Sequence, residues 1–156
     1  EGICDVHKAR RSMVIIGDSV HNFLDGIAIA AALLISVPLG LVTAVAVFLH
    51  EIPQEVGDFG VLQQMGMTRK QALRWNLVSA LAAILGGVLV YLLAGAVESI
   101  EVPLIALAGG GFIYIATVDL LPEVHRELRR GHIFSHMLAF GLGVVVLWVL
   151  NLTLQV

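Results

Sequence analysis

Five long apolar stretches dominate this sequence of 156 residues and restrict it to one class of fold. A helix needs roughly 20 apolar residues to cross about 30 Å of hydrocarbon, and each stretch reaches that length. The stretches are rich in Ala, Leu and Gly and lack the strict alternation of a transmembrane barrel strand. We therefore predict an all-α, polytopic transmembrane helical bundle that forms a single domain over residues 1–156. The predicted spans are about 13–36, 41–64, 72–97, 103–124 and 133–154.

The composition excludes several other classes of protein. Charged residues make up only 13% of the chain, whereas about 25% is usual in a soluble domain. A net charge of −3 without a basic cluster argues against a nucleic-acid partner. The single cysteine, Cys4, excludes a disulfide framework and a four-thiolate zinc site. Because the sequence opens on Glu1 and has no signal peptide, we expect a fragment or an internal start.

The basic residues all fall on one side of the predicted topology. They precede the first span, separate the second from the third, and separate the fourth from the fifth, while the opposite connections carry none. Cytoplasmic loops collect Lys and Arg, so we predict a cytoplasmic N-terminus and a C-terminus outside the cell or in a lumen. The nine residues are Lys8, Arg10, Arg11, Arg69, Lys70, Arg74, Arg126, Arg129 and Arg130.

Polar residues interrupt the middles of the first two spans, where they are costly. One acid at mid-helix costs roughly 2.5 to 3.5 kcal/mol on insertion scales, against about −0.3 to −0.6 kcal/mol returned by each Leu or Ile. Some other interaction must therefore stabilise them. The residues are Asp18, His21, Asn22 and Asp25 in the first span, and His50, Glu51, Gln54, Glu55 and Asp58 in the second.

The spacing of these residues predicts a metal site between the two helices. Residues four apart lie on one face of a helix, so His21 lies above Asp25 and His50 above Gln54. If the two faces meet, imidazoles, carboxylates and carboxamides gather without a nearby Lys or Arg, and a divalent cation would complete the cluster. Pro53 cannot donate to the Leu49 carbonyl, which predicts a kink and a backbone oxygen left free at the same depth.

Two motifs resemble the ZIP family of divalent metal transporters. HNFLDGIAI at residues 21–29 and HEIPQEVGDF at 50–59 are similar to signatures of successive family helices, the second in the branch with an HExPxExGD pattern. DLLPEV at 119–124 resembles a later family helix. The resemblance implies that the chain covers the last five of eight transmembrane helices and lacks the first three. It also implies a transporter, not an enzyme, that moves zinc toward the cytosol.

The same resemblance implies a two-metal site between the first two helices of this chain. His21, Asp25 and His50 match the ligands of one metal, while Asn22 and Glu51 match those of the second. The full set of expected metal ligands is His21, Asn22, Asp25, His50, Glu51 and Gln54.

The last polar residues of the second signature have different expected roles. Gln54 is expected to bridge the metals together with Asp25, although the nearest branch commonly has His at this position. A carboxamide is the weaker ligand, so affinity and metal preference depend on this substitution. Glu55 and Asp58 match the signature outside the ligand set, and we expect them to form an exit path toward the cytosol.

The sequence leaves the identity of the metal open. Zinc is the expected substrate, but nitrogen and oxygen ligands also suit Fe²⁺, Mn²⁺ and Cd²⁺. Family members are generally dimers, so the resemblance implies a homodimer in a lipid bilayer, with the plasma (inner) membrane favoured. Protonation of the imidazoles would compete with the metal, which predicts weaker uptake in acid.

Two other functions compete with this hypothesis. Intramembrane metalloproteases use H-E-x-x-H, but here HEIPQ places Gln54 where the second His is required and puts a proline inside the motif. A structural membrane subunit could instead use the polar residues for helix assembly. Metal binding by the purified chain distinguishes the structural subunit from a transporter.

Overall fold

The computed structural model of the chain describes residues 2–97 and 133–154 and the positions 103, 106, 109–111, 113, 114, 117 and 118, and these residues are almost entirely helical. The long helices are α1 (Gly2–Ile35), α2 (Val37–Gln64), α3 (Arg69–Val97) and α4 (Ile133–Leu154). No strand occurs among the described residues, and the all-α prediction is confirmed. The predicted span at 103–124 lies largely outside the described residues, and the DLLPEV segment lies wholly outside them.

All four helices contain a segment long and apolar enough to cross a membrane: Ala9–Ile35, Val37–Gln64, Arg69–Leu93 and Ile133–Leu150. Unlike in a soluble protein, many large apolar side chains are exposed while charged and polar side chains are buried. Asp25 is only 2% exposed, whereas Leu92 and Phe134 are 73% and 80% exposed. Apolar side chains are solvated by lipid, while polar groups in lipid must find partners inside the protein. The chain is therefore a multi-pass integral membrane protein.

Among the described helices, α1 makes the most extensive contacts. It packs most extensively against α3 and also contacts α2, and α4 contacts α2. Glycines permit a close approach of α1 and α3, as small residues do at helix contacts in membranes. A Cβ atom at Gly26 would collide with the Ala83 backbone, and one at Gly86 would collide with the Phe23 carbonyl. The bundle is thus built around the helix that carries the first polar cluster.

A single residue connects α1 to α2. Ser36 has an extended backbone, with φ −160° and ψ 146°, and its Oγ accepts a hydrogen bond of 3.2 Å from the Leu39 amide. At the other end of the pair, Arg11 donates from Nε to the Met65 carbonyl at 2.8 Å and from Nη2 to the same oxygen. The start of α1 therefore lies beside the end of α2, and the two helices run antiparallel.

The turn between α2 and α3 contains defined cap structures. Gly66 has a φ of 86°, in the left-handed region that glycine adopts without steric cost, and the Met67 amide bonds back to the Leu62 carbonyl at 3.1 Å. Thr68 and Gln71 then form a capping box. The Thr68 amide donates to Gln71 Oε1 at 3.0 Å, and the Gln71 amide donates to Thr68 Oγ1 at 3.3 Å.

Replacing Thr68 by Ala should destabilise the start of α3. The variant loses the hydroxyl that accepts from the Gln71 amide, and loss of such a cap costs about 1 kcal/mol. Thermal unfolding of the full-length protein in detergent would measure the change. Thr68→Ser retains the hydroxyl and should unfold like the wild type; equal losses in the two variants would contradict a capping role.

Candidate metal centre

Four side chains from α1 and α2 converge at one point: His21, Asp25, His50 and Glu51. One ligand atom from each lies within 4.8 Å of the others. His21 and Asp25 are one helical turn apart on α1, and His50 and Glu51 are adjacent on α2. Asp25 and His21 are buried, at 2% and 8% exposure, whereas the side chains of His50 and Glu51 are 25% and 17% exposed, so the cluster is open on the α2 side. We call these four residues the metal centre.

The separations between donor atoms match those expected around a small metal ion. His21 Nε2 lies 3.2 Å from His50 Nε2, 3.5 Å from Asp25 Oδ2 and 3.3 Å from Glu51 Oε1. His50 Nε2 lies 3.1 Å from Asp25 Oδ2 and 3.5 Å from Glu51 Oε1. Tetrahedral ligands at about 2.0 to 2.2 Å from zinc would stand about 3.3 to 3.6 Å from one another. Five of the six separations are therefore close to those of ligands around one zinc ion, and the sixth, between Asp25 and Glu51, is within 4.8 Å.

Hydrogen bonding prepares the centre for a cation. The Nδ1 of His50 lies 3.1 Å from the Ala46 carbonyl and donates to it, so Nε2, which lies 3.1 Å from Asp25 Oδ2, is the ring nitrogen available to a metal. The buried Oε1 of Glu51 lies 3.3 Å from His21 Nε2 and 3.5 Å from His50 Nε2, and these two imidazoles are its nearest polar neighbours in the cluster. A bound metal would satisfy both groups.

The two predicted carboxamide ligands contact Asp18. Asn22 Nδ2 donates to Asp18 Oδ1 at 3.0 Å, and Gln54 Nε2 reaches the same oxygen at 3.4 Å. Asp18 is buried, and it lies one turn before His21 on the same face of α1. Asn22 and Gln54 therefore lie beside the metal centre, with their amide groups turned toward a third carboxylate. Their ligand roles stay predictions.

The residues of the predicted exit path follow on α2. Glu55 and Asp58 lie one and two turns beyond the metal centre, toward the end of the helix at Met65. Asn76 of α3 donates from Nδ2 to the backbone carbonyl of Glu55 at 2.8 Å. Pro53 lies inside α2, which continues to Gln64, and it is exposed.

Sequence reasoning did not identify Asn76 and gave Asp18 no role as a ligand. The signal for Asp18 was its spacing of four residues from Asn22. The signal for Asn76 was weaker, because it is one carboxamide in the long apolar helix α3.

Comparison with known proteins agrees with the motifs. A family model described as ZIP Zinc transporter matches residues 4–151. The protein named Zinc transporter ZIP6 of Homo sapiens is 41% identical over 145 residues, which cover 86% of this chain and 19% of that protein. Zinc transporter ZIP4 of Homo sapiens is 41% identical over 143 residues, covering 92% of this chain and 22% of that protein.

A nematode relative is matched over a larger share of its own length. Zinc transporter zipt-7.1 of Caenorhabditis briggsae is 37% identical over 164 aligned positions, covering 97% of this chain and 42% of that protein. The chain thus spans less than half the length of these relatives. No solved structure shows a significant match. Since the family model covers nearly the whole chain, and both helices that build the metal centre lie within the match, the chain belongs to the ZIP zinc transporter family.

Proposed function

We propose that this chain forms the metal-conducting part of a divalent metal transporter that takes up zinc toward the cytosol. The observation that carries the proposal is the metal centre, in which two imidazoles and two carboxylates from adjacent membrane helices stand 3.1 to 3.5 Å apart across five of their six pairs. Two imidazoles with two carboxylates are a common donor set for zinc. The absence of thiolates from the centre suits a site that must release its metal.

The remaining predicted ligands and the predicted exit-path residues lie between this centre and one end of α2. Asn22 and Gln54 add carboxamide oxygens next to it, and a rotation of either side chain away from Asp18 would bring that oxygen toward a second metal. Glu55 and Asp58 continue the line of carboxylates toward the end of α2 beside Arg11. Because this end carries basic residues, the path leads toward the cytoplasm in the topology with a cytoplasmic N-terminus.

Several finer features belong to the same proposal. Fe²⁺, Mn²⁺ and Cd²⁺ share the ligand chemistry of zinc and are further substrates to test. A homodimer in the plasma membrane is the assembly implied by the family resemblance. The metalloprotease alternative gains no support from the centre, because Gln54 donates to Asp18 at the position where the protease motif requires a second His ligand.

Zinc should stabilise the folded protein in a saturable manner. At a free zinc concentration about 100 times the Kd, binding adds about 2.7 kcal/mol to the free energy of unfolding. In Asp25→Asn, a hundredfold loss of affinity would reduce this gain to about 0.4 kcal/mol at the same zinc concentration. Unfolding of the full-length protein with and without zinc would measure both values.

The matched control is Ser19→Ala. Ser19 is also polar and on α1, but its hydroxyl donates to the Ile15 carbonyl within the helix. This variant should retain the zinc effect. Absence of saturable stabilisation in the wild type would contradict the proposal and favour a structural role for the polar residues.

A further inference from the structure

A small cavity lies beside the first turns of α3, separate from the metal centre. Its volume is about 250 Å³, and the described part of its lining consists of Gln71, Arg74, Trp75 and Val78. These positions are spaced by three and four residues, which places their side chains on one face of the helix. One face of α3 therefore brings an amide, a guanidinium, an indole and an aliphatic side chain to a single cavity.

This face of α3 is not the one that packs into the bundle. The packed face carries the buried residues Ala72, Asn76, Ser79 and Val90. On the cavity face, Gln71 and Arg74 are exposed, and Trp75 and Val78 are 43% and 53% exposed. The described helices leave this face uncovered, and the solvent around a membrane-spanning helix is lipid. The surrounding bilayer is thus the nearest source of an occupant for the cavity.

Three hydrogen-bond donors at the cavity have no protein partner. Gln71 Oε1 accepts from the amide and the hydroxyl of Thr68, at 3.0 and 3.1 Å, which holds this side chain and leaves its Nε2 to donate elsewhere. In the part of the chain that the structure describes, neither the Arg74 guanidinium nor the Trp75 indole N–H makes a hydrogen bond or an ion pair. A ligand with several anionic oxygens would satisfy these donors.

The cavity changes from polar to apolar along the helix axis. Gln71 and Val78 are seven residues apart, which corresponds to about 10 Å. Arg74 lies toward the polar end, and Val78 points the way to the apolar middle of the membrane-capable segment Arg69–Leu93. Trp75 lies between them, and indole rings favour the boundary between headgroups and hydrocarbon. A ligand that fits both ends therefore combines an anionic head with an apolar tail.

The polar end of the cavity belongs to the basic end of the bundle. Lys70 precedes Arg74 by four residues on α3, and Arg10 and Arg11 lie at the start of α1, where Arg11 contacts Met65. Among the described side chains, no carboxylate pairs with Lys70 or Arg74. Anionic lipids of the cytoplasmic leaflet attract basic residues at the membrane surface. In the topology with a cytoplasmic N-terminus, this end of the bundle meets that leaflet.

We propose that this cavity, which we call the α3 lipid site, binds one anionic phospholipid of the cytoplasmic leaflet. The Arg74 guanidinium donates to two phosphate oxygens at once, as its planar fork allows, and Gln71 Nε2 donates to the same phosphate. Lys70 adds positive charge, and the first carbons of an acyl chain lie against Trp75 and Val78. A soluble acidic protein segment would match only the basic end of the cavity, because the apolar end lies at membrane depth.

Lipid binding by the full-length protein in detergent tests this site. Native mass spectrometry counts bound molecules during titration with phosphatidylserine, or with phosphatidylcholine that has the same acyl chains. We expect a saturable class that binds phosphatidylserine more tightly than phosphatidylcholine. Each Lys or Arg near an anionic lipid contributes about 1 kcal/mol, which is roughly fivefold in affinity. Arg74→Gln should therefore weaken phosphatidylserine binding by about fivefold or more. Arg74→Lys keeps the charge but loses the fork, and should weaken it less.

The matched control is Arg69→Gln, which removes the same charge from the same helix. Arg69 is exposed, but it precedes Gln71 by two residues, a rotation of about 200° around the helix axis, so it projects from the opposite side. This variant should bind phosphatidylserine like the wild type. Arg74 is exposed and makes no contact with a described carboxylate, so its replacement leaves the fold intact and the comparison direct.

Two results would overturn the α3 lipid site at once. Equal losses in Arg74→Gln and Arg69→Gln would show that only the net charge of this end attracts lipid. Equal affinity of the wild type for the two lipids would show that no anionic headgroup is recognised.

Competition distinguishes the lipid from other anions. Inorganic phosphate and a soluble polyglutamate peptide are added to the protein with bound phosphatidylserine, and neither should displace it, because neither has an acyl chain for the apolar end. Displacement by phosphate would make the ligand a free anion. Displacement by the peptide would make this surface a docking site for an acidic protein segment, and either result would refute the lipid site.

Discussion

Replacing both His21 and His50 by Ala should lower zinc uptake by at least about a hundredfold. The two Nε2 atoms face each other at 3.2 Å and supply every nitrogen donor of the metal centre, so the double variant retains only Asp25 and Glu51. Disturbing a residue that only supports a metal ligand lowers metal affinity by about 10- to 100-fold, so removing two direct ligands should lower it further. Each tenfold loss of affinity corresponds to about 1.4 kcal/mol of binding free energy. Uptake of ⁶⁵Zn by vesicles containing equal amounts of the full-length proteins would measure the effect.

The control for this experiment is His136→Ala. His136 lies on α4, outside the metal centre, so its loss should leave uptake near the wild-type level. A second readout uses Mn²⁺, which prefers oxygen ligands. Its uptake should fall less than that of zinc in the double variant, because the carboxylates remain. Unchanged zinc uptake in a correctly inserted double variant would refute this assignment of the centre.

The fold was predictable because hydropathy and turn chemistry act locally. Lipid requires long apolar helices, and Ser36 with Pro38 marks a helix boundary from sequence alone. The structure adds that the connection is a single extended residue. It also adds that α1 already begins at Gly2, ahead of the apolar span, because a helix can continue through polar residues beyond the hydrocarbon.

The metal centre was predictable only in part. Helical spacing brings His21 next to Asp25, and adjacency joins His50 to Glu51, but spacing within one helix cannot show which faces of two helices meet. The family resemblance supplied that pairing, and the structure gives its distances.

Neither helical spacing nor the family resemblance predicts the hydrogen bonds that the carboxamide side chains make. Asn22 can donate to Asp18 or offer oxygen to a metal, and helical periodicity does not choose between these states. Asn76 of α3 donates to the Glu55 carbonyl of α2, a contact that depends on how α3 packs in the bundle and is therefore a tertiary effect.

Replacing Gly26 by Ala should lower both the stability of the protein and its zinc uptake, because Gly26 lies at the close contact between α1 and α3. The new Cβ would collide with the backbone of Ala83, so α1 and α3 must separate, and overpacking of this kind costs typically about 1 to 3 kcal/mol. Asp25 precedes Gly26, so the shift also displaces a buried ligand. Gly17→Ala on the same helix meets nothing within 4 Å, so it should transport like the wild type and be at least as stable, since Ala favours a helix interior over Gly. Thermal unfolding and ⁶⁵Zn uptake would test both variants, and equal behaviour would contradict the close packing of α1 on α3.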